Sequence, residues 1–202
     1  MNLPNKLTIG RMCAVVVVVI LSCITKLAEV IVFSDVTLQE LLLLIIFVLA
    51  SITDCLDGKI ARKYNLVTNF GKFMDPLADK LLVLSTMIAL MSMGKFSAFG
   101  FDLSFCITII LSRELAVEGL RIVAADNKVV IAASKLGKYK TVSQMVCVII
   151  LLLNCFPFSL LGGYSKDIVT IIFVSICTIL TLVSGIDYFV KNGHVLKEKN
   201  NN

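Results

Sequence analysis

The chain has 202 residues, 58% of them hydrophobic and only 16% charged, with a formal net charge of +5 and a mean hydropathy of +0.95. Soluble domains carry about 25% charged residues, so a soluble fold of this size could not hide so much apolar side chain. The composition implies an all-α integral membrane protein with a single domain over residues 1–202, and it makes nucleic acid a poor partner.

A spanning helix needs roughly 20 apolar residues. Six such stretches occur in chain order, at 11–33, 37–57, 74–94, 99–120, 139–161 and 167–190. Their short connections predict six transmembrane helices in one bundle. The start, MNLPNKLTIGRMCAVVVVVILSC, has the basic–apolar–Cys order of a lipoprotein signal ending at Cys23. Five further spans follow it, so it reads as a retained first span. The tail 192–202 is polar and carries no assigned role. Seven cysteines show no CxxC pair and mostly sit inside apolar runs, as small hydrophobes. The one histidine, His194, lies in the tail. Zinc or Ser–His chemistry therefore has little to build on, and carboxylates and basic residues must carry any reaction.

All but Lys26, Lys95 and Lys166 of the 19 Lys and Arg residues fall on one side of the predicted spans. The positive-inside rule puts that side in the cytoplasm. Both termini, the 54–79 segment and the 121–140 loop are then cytoplasmic, in a multi-pass protein of the plasma membrane. The positive balance suits membrane lipid and phosphate-bearing ligands.

The segment DCLDGKIARKYNLVTNFGKFMDPLADK places four carboxylates at Asp54, Asp57, Asp75 and Asp79. In a helix, spacings of i, i+3 and i, i+4 put each pair on one face. Gly58 and Ala61 share the first face with Arg62 at its edge, and Gly71 and Lys72 flank the second. A turn over 63–71 lets the two pairs converge. Four carboxylates together repel unless cations hold them. All-oxygen donors with phosphate partners suit a divalent metal, Mg²⁺ or Mn²⁺, as two ions near each other. Glycine at 58 and 71 leaves room for a ligand against the backbone. The plainer reading is a set of solvated helix ends marking the membrane boundary, but such ends usually carry Lys and Arg.

The segment resembles the signature of the CDP-alcohol phosphatidyltransferases. That pattern is D-x-x-D-G-x-x-A-R, about eight residues, then G-x-x-x-D-x-x-x-D, and Asp54, Asp57, Gly58, Ala61, Arg62, Gly71, Asp75 and Asp79 fill every fixed position. The resemblance implies a six-helix membrane enzyme, a homodimer, that uses a CDP-linked lipid and a divalent metal to transfer a phosphatidyl group to an alcohol, releasing CMP. It implies that Asp54, Asp57 and Asp75 hold metal. Asp79 would take the proton of the attacking hydroxyl and also touch metal. Gly58, Ala61, Arg62 and Gly71 would line the CDP-lipid pocket.

The second informative stretch, SRELAVEGLRIVAADNKVVIAASKLGKYKTVSQ at 112–144, carries Arg113, Arg121, Lys135, Lys138 and Lys140. Arg113 and Arg121 are eight residues apart and can share a helix face. Cations in an apolar helix need anions. Either Arg113 pairs with Glu114 or Glu118 and the rest is an ordinary positive-inside loop, or the set binds a phosphate on the acceptor alcohol. The stretch resembles one branch of the family, the phosphatidylglycerophosphate synthases, in S-R-E-x-x-V-x-G-x-R and A-A-S-x-x-G-K-x-K-T-x-x-Q. Ser112, Arg113, Glu114, Val117, Gly119 and Arg121 match the first, and Ala132, Ala133, Ser134, Gly137, Lys138, Lys140, Thr141 and Gln144 the second. The opening NLPNKLTIGR resembles that branch's N-terminal amphipathic interfacial segment, with Asn5 and Thr8 helping to cover the nucleotide. The resemblance implies CDP-diacylglycerol as donor and sn-glycerol 3-phosphate as acceptor, with Arg113, Arg121, Lys135, Lys138 and Lys140 on the acceptor phosphate.

Two rivals stand beside this expectation. Inositol phosphate is also a phosphorylated acceptor, and a basic pocket alone does not distinguish it. A cation transporter with a carboxylate site would also use buried aspartates. Transporters, however, place such sites near the bilayer midplane, often in repeated halves, and no internal repeat is visible here.

Overall fold

The computed structural model describes residues 3–63, 69–127, 129, 131 and 134–193, without the side chains of 3, 4, 55–63, 69, 70, 72 and 73. Six α-helices occur among the described residues: α1 (Leu3–Ser22), α2 (Leu38–Lys63), α3 (Asn69–Ser92), α4 (Phe105–Asp126), α5 (Lys135–Leu152) and α6 (Ser165–Asn192). The protein is mostly helical, as its composition requires. Among the described residues, two helices, over Asn5–Ser22 in α1 and Ser165–Asn192 in α6, are long and apolar enough to cross a membrane. The others carry the charge-bearing segments, such as Arg113, Glu114, Glu118 and Arg121 in α4, and are less uniformly apolar.

Between helices the chain adds small features that the apolar pattern does not announce. The first apolar stretch does not remain helical to residue 33. α1 ends at Ser22, and Ile31–Phe33 becomes a strand, β1, paired antiparallel with β2 (Val36–Thr37). Ser34 and Asp35, both at positive φ, make the two-residue turn, the geometry that matches strand twist. A second hairpin pairs β3 (Ser97–Ala98) with β4 (Phe101–Asp102) around Phe99 and Gly100, also both at positive φ.

The described residues divide into two compact units. The first comprises residues 1–95 and 148–166. There α1 packs along α3 and α2, over a core that includes Val18, Leu43, Phe47, Leu82, Met87 and Leu90. The start of α2 is fastened by a reciprocal cap. The Thr37 N–H donates to Glu40 Oε2 at 2.7 Å, and the Glu40 N–H donates to Thr37 Oγ1 at 3.3 Å, so each side chain satisfies a backbone donor that the first turn leaves open. Glu40 also pairs with Lys95 through Oε1, and Lys95 reaches Asn154 Oδ1 at 3.2 Å. Asn154 in turn donates to the Asp35 carbonyl at 2.9 Å. Gln39 donates to the Leu21 carbonyl at 2.7 Å, taking up a terminal acceptor of α1.

The second unit comprises residues 96–147 and 167–202. Its core includes Ile107, Ile110, Val117, Leu120, Val174 and Tyr188. Along α6 the buried face reads Thr170, Val174, Cys177, Thr178, Thr181, Ser184, Gly185 and Tyr188, a largely polar stripe inside an apolar helix. Thr178 and Thr181 donate back to the carbonyls of Val174 and Cys177, and the Thr181 hydroxyl also accepts from Gln144 Nε2 of α5 at 3.5 Å. Among the described side chains, the cysteines at 13, 23, 106, 147, 155 and 177 are free thiols.

Candidate active site

In the first unit, the carboxylate segment lies on two helices, as its spacing predicts. Asp54, Asp57, Gly58, Ala61 and Arg62 fall in the last turns of α2, and Gly71, Asp75 and Asp79 in the first turns of α3. Pro76 stands between Asp75 and Asp79 inside α3 and withholds one backbone donor there. Asp54, Asp75 and Asp79 are each half-buried, and Gly71 is buried. The Asp54 and Asp75 carboxylates are near enough to repel each other. The side chains of Asp57, Ala61 and Arg62, and the environment of Gly58, lie outside the described residues, as does the turn at 64–68.

Helix α1 meets this acidic pair with two side chains one turn apart. Thr8 Oγ1 donates to Asp75 Oδ1 at 2.5 Å. Arg11 Nη1 lies 2.5 Å from Asp54 Oδ1, with the arginine side chain fully buried and that of Asp54 34% exposed. Thr8 was expected near the nucleotide pocket, and the structure brings it onto a carboxylate of the signature. Asn5, one turn earlier on α1, is half-buried. Arg11 was expected only as one of many cytoplasmic charges. The signal that would have found it is the i, i+3, i+6 spacing of Asn5, Thr8 and Arg11, which aligns three polar residues on one face of an apolar helix.

The donor chemistry fits a divalent cation. Asp54 and Asp75 present carboxylate oxygens from two helices, and the protein already supplies a cationic group against one of them. Hard cations such as Mg²⁺ take oxygen donors of this kind. Among the described residues no three His, Cys, Asp or Glu side chains form a metal-holding group; the Asp57 carboxylate is not among those side chains.

The basic residues belong to the second unit. Arg113 and Arg121 sit on α4, Lys135, Lys138 and Lys140 on the first two turns of α5. The Ser134 hydroxyl just ahead of α5 accepts the Gly137 N–H at 3.0 Å, a cap for the helix start. A Cβ at Gly137 would lie 3.3 Å from that hydroxyl, which gives the S-x-x-G spacing a structural reason. Lys135 and Lys138 are exposed, whereas Lys140 is buried and pairs with Glu114 Oε1. Arg113 is thus not the main partner of its neighbour Glu114, which lies 3.6 Å from Arg113 Nη1. Arg113 Nη2 instead donates to Ser184 Oγ at 2.7 Å. Arg121 Nε donates to Tyr188 Oη at 2.9 Å. The two guanidinium groups are close enough to repel each other.

Ser184, Gly185 and Tyr188 were not among the expected site residues. Their signal is a polar face on an otherwise apolar α6, at i, i+1 and i+4.

Comparison with known proteins agrees with this chemistry. Residues 1–186 match the CDP-alcohol phosphatidyltransferase family. The CDP-diacylglycerol–glycerol-3-phosphate 3-phosphatidyltransferase of Bacillus subtilis is 41% identical, over 98% of this chain and 99% of that protein. The Rickettsia typhi protein of the same name is 42% identical, over 93% of this chain and 95% of its own length. A probable phosphatidylglycerophosphate synthase of Mycobacterium tuberculosis is 37% identical over 72% of this chain. The chain belongs to the CDP-alcohol phosphatidyltransferase family.

Proposed function

We propose that this chain transfers the phosphatidyl group of CDP-diacylglycerol to sn-glycerol 3-phosphate, giving phosphatidylglycerophosphate and CMP. The observation that carries the reading is its likeness, over 98% of its length, to a relative named for that reaction. The arginines at 113 and 121, both on α4 and both hydrogen-bonded to side chains of α6 in the second unit, support an acceptor that already bears phosphate.

The family uses a divalent metal. Asp54, Asp57, Asp75 and Asp79 would hold it here, as two Mg²⁺ or Mn²⁺ ions. The chemistry supplied there is the masking of diphosphate charge and stabilisation of the leaving CMP. Asp79 accepts the proton of the glycerol 1-hydroxyl as the new O–P bond forms and the bond from that phosphorus to the CMP oxygen breaks. Gly58, Ala61, Arg62 and Gly71 line the CDP-lipid pocket, with Asn5 and Thr8 over the nucleotide. The contact of Thr8 with Asp75 supports that placement. Arg113 and Arg121 bind the acceptor phosphate as forks. Lys135 and Lys138 attract it from water, and Lys140 neutralises Glu114 so that the pocket stays positive. We further propose that the six helices all span the plasma membrane as a single domain, with termini and active site cytoplasmic, and that the enzyme is a homodimer.

The test is CMP release by the purified protein in detergent with CDP-diacylglycerol and Mg²⁺, given glycerol 3-phosphate, inositol phosphate or no acceptor. Release with glycerol 3-phosphate alone is expected. Release with inositol phosphate instead would overturn the acceptor, and no release from a folded sample would overturn the reaction.

A further inference from the structure

We infer that Ser184, Gly185 and Tyr188 of α6 are positioning residues for the acceptor, drawing the guanidinium groups of Arg113 and Arg121 together so that one phosphate can bridge them. The inference rests on the proposed role of those two arginines.

The argument is one of spacing. Arg113 and Arg121 leave α4 eight residues apart, about 12 Å along the axis at 1.5 Å per residue. Their hydrogen-bond acceptors on α6, Ser184 and Tyr188, are four residues apart, about 6 Å along that helix. The two arginines are therefore anchored to positions on α6 spaced at roughly half their own separation along α4. Like charges do not converge unaided; here they are near enough to repel. Something must hold them; Glu114, 3.6 Å from Arg113 Nη1, is shared with Lys140, and the hydrogen-bonding holders on α6 are neutral hydroxyls that take no charge from either arginine.

Each holder acts differently. Ser184 takes Arg113 Nη2 at 2.7 Å, while Nη1 stays 3.6 Å from Glu114 Oε1, an oxygen that Lys140 engages more closely. Gly185 supplies the room. A Cβ there would lie 2.8 Å from Arg113 Cγ and 3.3 Å from Nε, so the arginine stem can rest against α6 only where no side chain intervenes. Tyr188 is 3% exposed and packs with Val117 and Leu120, which makes its ring a fixed post. Its hydroxyl takes Arg121 Nε at 2.9 Å, and its ring centroid lies 5.4 Å from the guanidinium carbon, a cation–π distance. Engaging Nε in this way leaves both terminal nitrogens of Arg121 for the paired contact that arginine makes with phosphate.

The test is steady-state kinetics of the full-length protein with glycerol 3-phosphate varied at saturating CDP-diacylglycerol. Ser184→Ala and Tyr188→Phe should each raise KM for glycerol 3-phosphate roughly tenfold, the weight of a hydrogen bond to a charged group, and Gly185→Ala should raise it by displacing the Arg113 stem. They should leave kcat and KM for CDP-diacylglycerol unchanged, the pattern of lost acceptor binding. Ser184→Thr, which keeps the hydroxyl, should restore the normal KM. Arg113→Ala and Arg121→Ala serve as references. If they raise KM for glycerol 3-phosphate and the α6 variants do not, the positioning role is overturned and the acceptor site stands. If the arginine variants also leave that KM unchanged, both fall. Should Ser184→Ala or Gly185→Ala fail to fold, Tyr188→Phe, which keeps the packed ring, decides the matter alone.

Discussion

The guanidinium of Arg11 lies 2.5 Å from the carboxylate of Asp54, tying the first helix of the chain to the first aspartate of the family signature. A buried arginine needs an anion, and a cluster of carboxylates needs a cation. The two requirements are met by one contact across 43 positions of sequence.

Replacing Arg11 by Met should therefore unsettle the carboxylates when no divalent cation is present. The loss should be about 1–3 kcal/mol, below the figure for a wholly buried pair because Asp54 is partly open to water. Thermal unfolding in detergent with EDTA should show the drop, and added Mg²⁺ should recover much of it. An equal drop with and without Mg²⁺ would mean that Arg11 serves packing and not charge balance.

Asp79→Asn keeps the size of the side chain but cannot take a proton. Turnover should fall by roughly 10²–10⁴-fold, the usual weight of general-base catalysis, while the unfolding temperature changes little and Mg²⁺ still binds through the other three aspartates. Near-normal CMP release would remove Asp79 from the role of base.

Chelation of divalent cations should abolish CMP release from the unaltered protein. Restoring Mg²⁺ or Mn²⁺ in turn, with CMP as the readout, reports which ion the aspartates accept. Activity that persists in EDTA after dialysis would contradict a metal held by Asp54, Asp57, Asp75 and Asp79.

Glu40→Ala removes the partner of Lys95 and opens the reciprocal cap with Thr37. The expected loss is about 3–5 kcal/mol, because one charge of a buried pair is left alone. Denaturation of the purified protein measures it. Glu40 lies far along α2 from Asp54, so the KM values of the folded fraction should not change.

The legibility of this molecule in its sequence follows the range of its interactions. The aspartates at 54, 57, 75 and 79 were legible because helical spacing alone aligns each pair. The helices were legible as apolar stretches, but α1 stops at Ser22 because Ile31–Phe33 is consumed by a hairpin whose strands are too short to show alternation. The plainer local reading paired Arg113 with Glu114 or Glu118; the contact with Glu114 is present at 3.6 Å, but Glu114 is held more closely by Lys140, 26 residues away. Arg113 and Arg121 find their acceptors 71 and 67 residues downstream. Nothing in local periodicity selects such a partner; only the polar stripe of α6 hints that one is wanted.

The fastening of Gln39 and Glu40 has a mechanical consequence. At one end of the first unit these two side chains rivet α2 to the close of α1 and to Lys95. At the other end, Thr8 on Asp75 and Arg11 on Asp54 are among the contacts that hold α1 against the signature. Polar fastenings at both ends thus fix the register of α1 along α2 and α3, so a slip of one helix past another would break contacts at both ends at once.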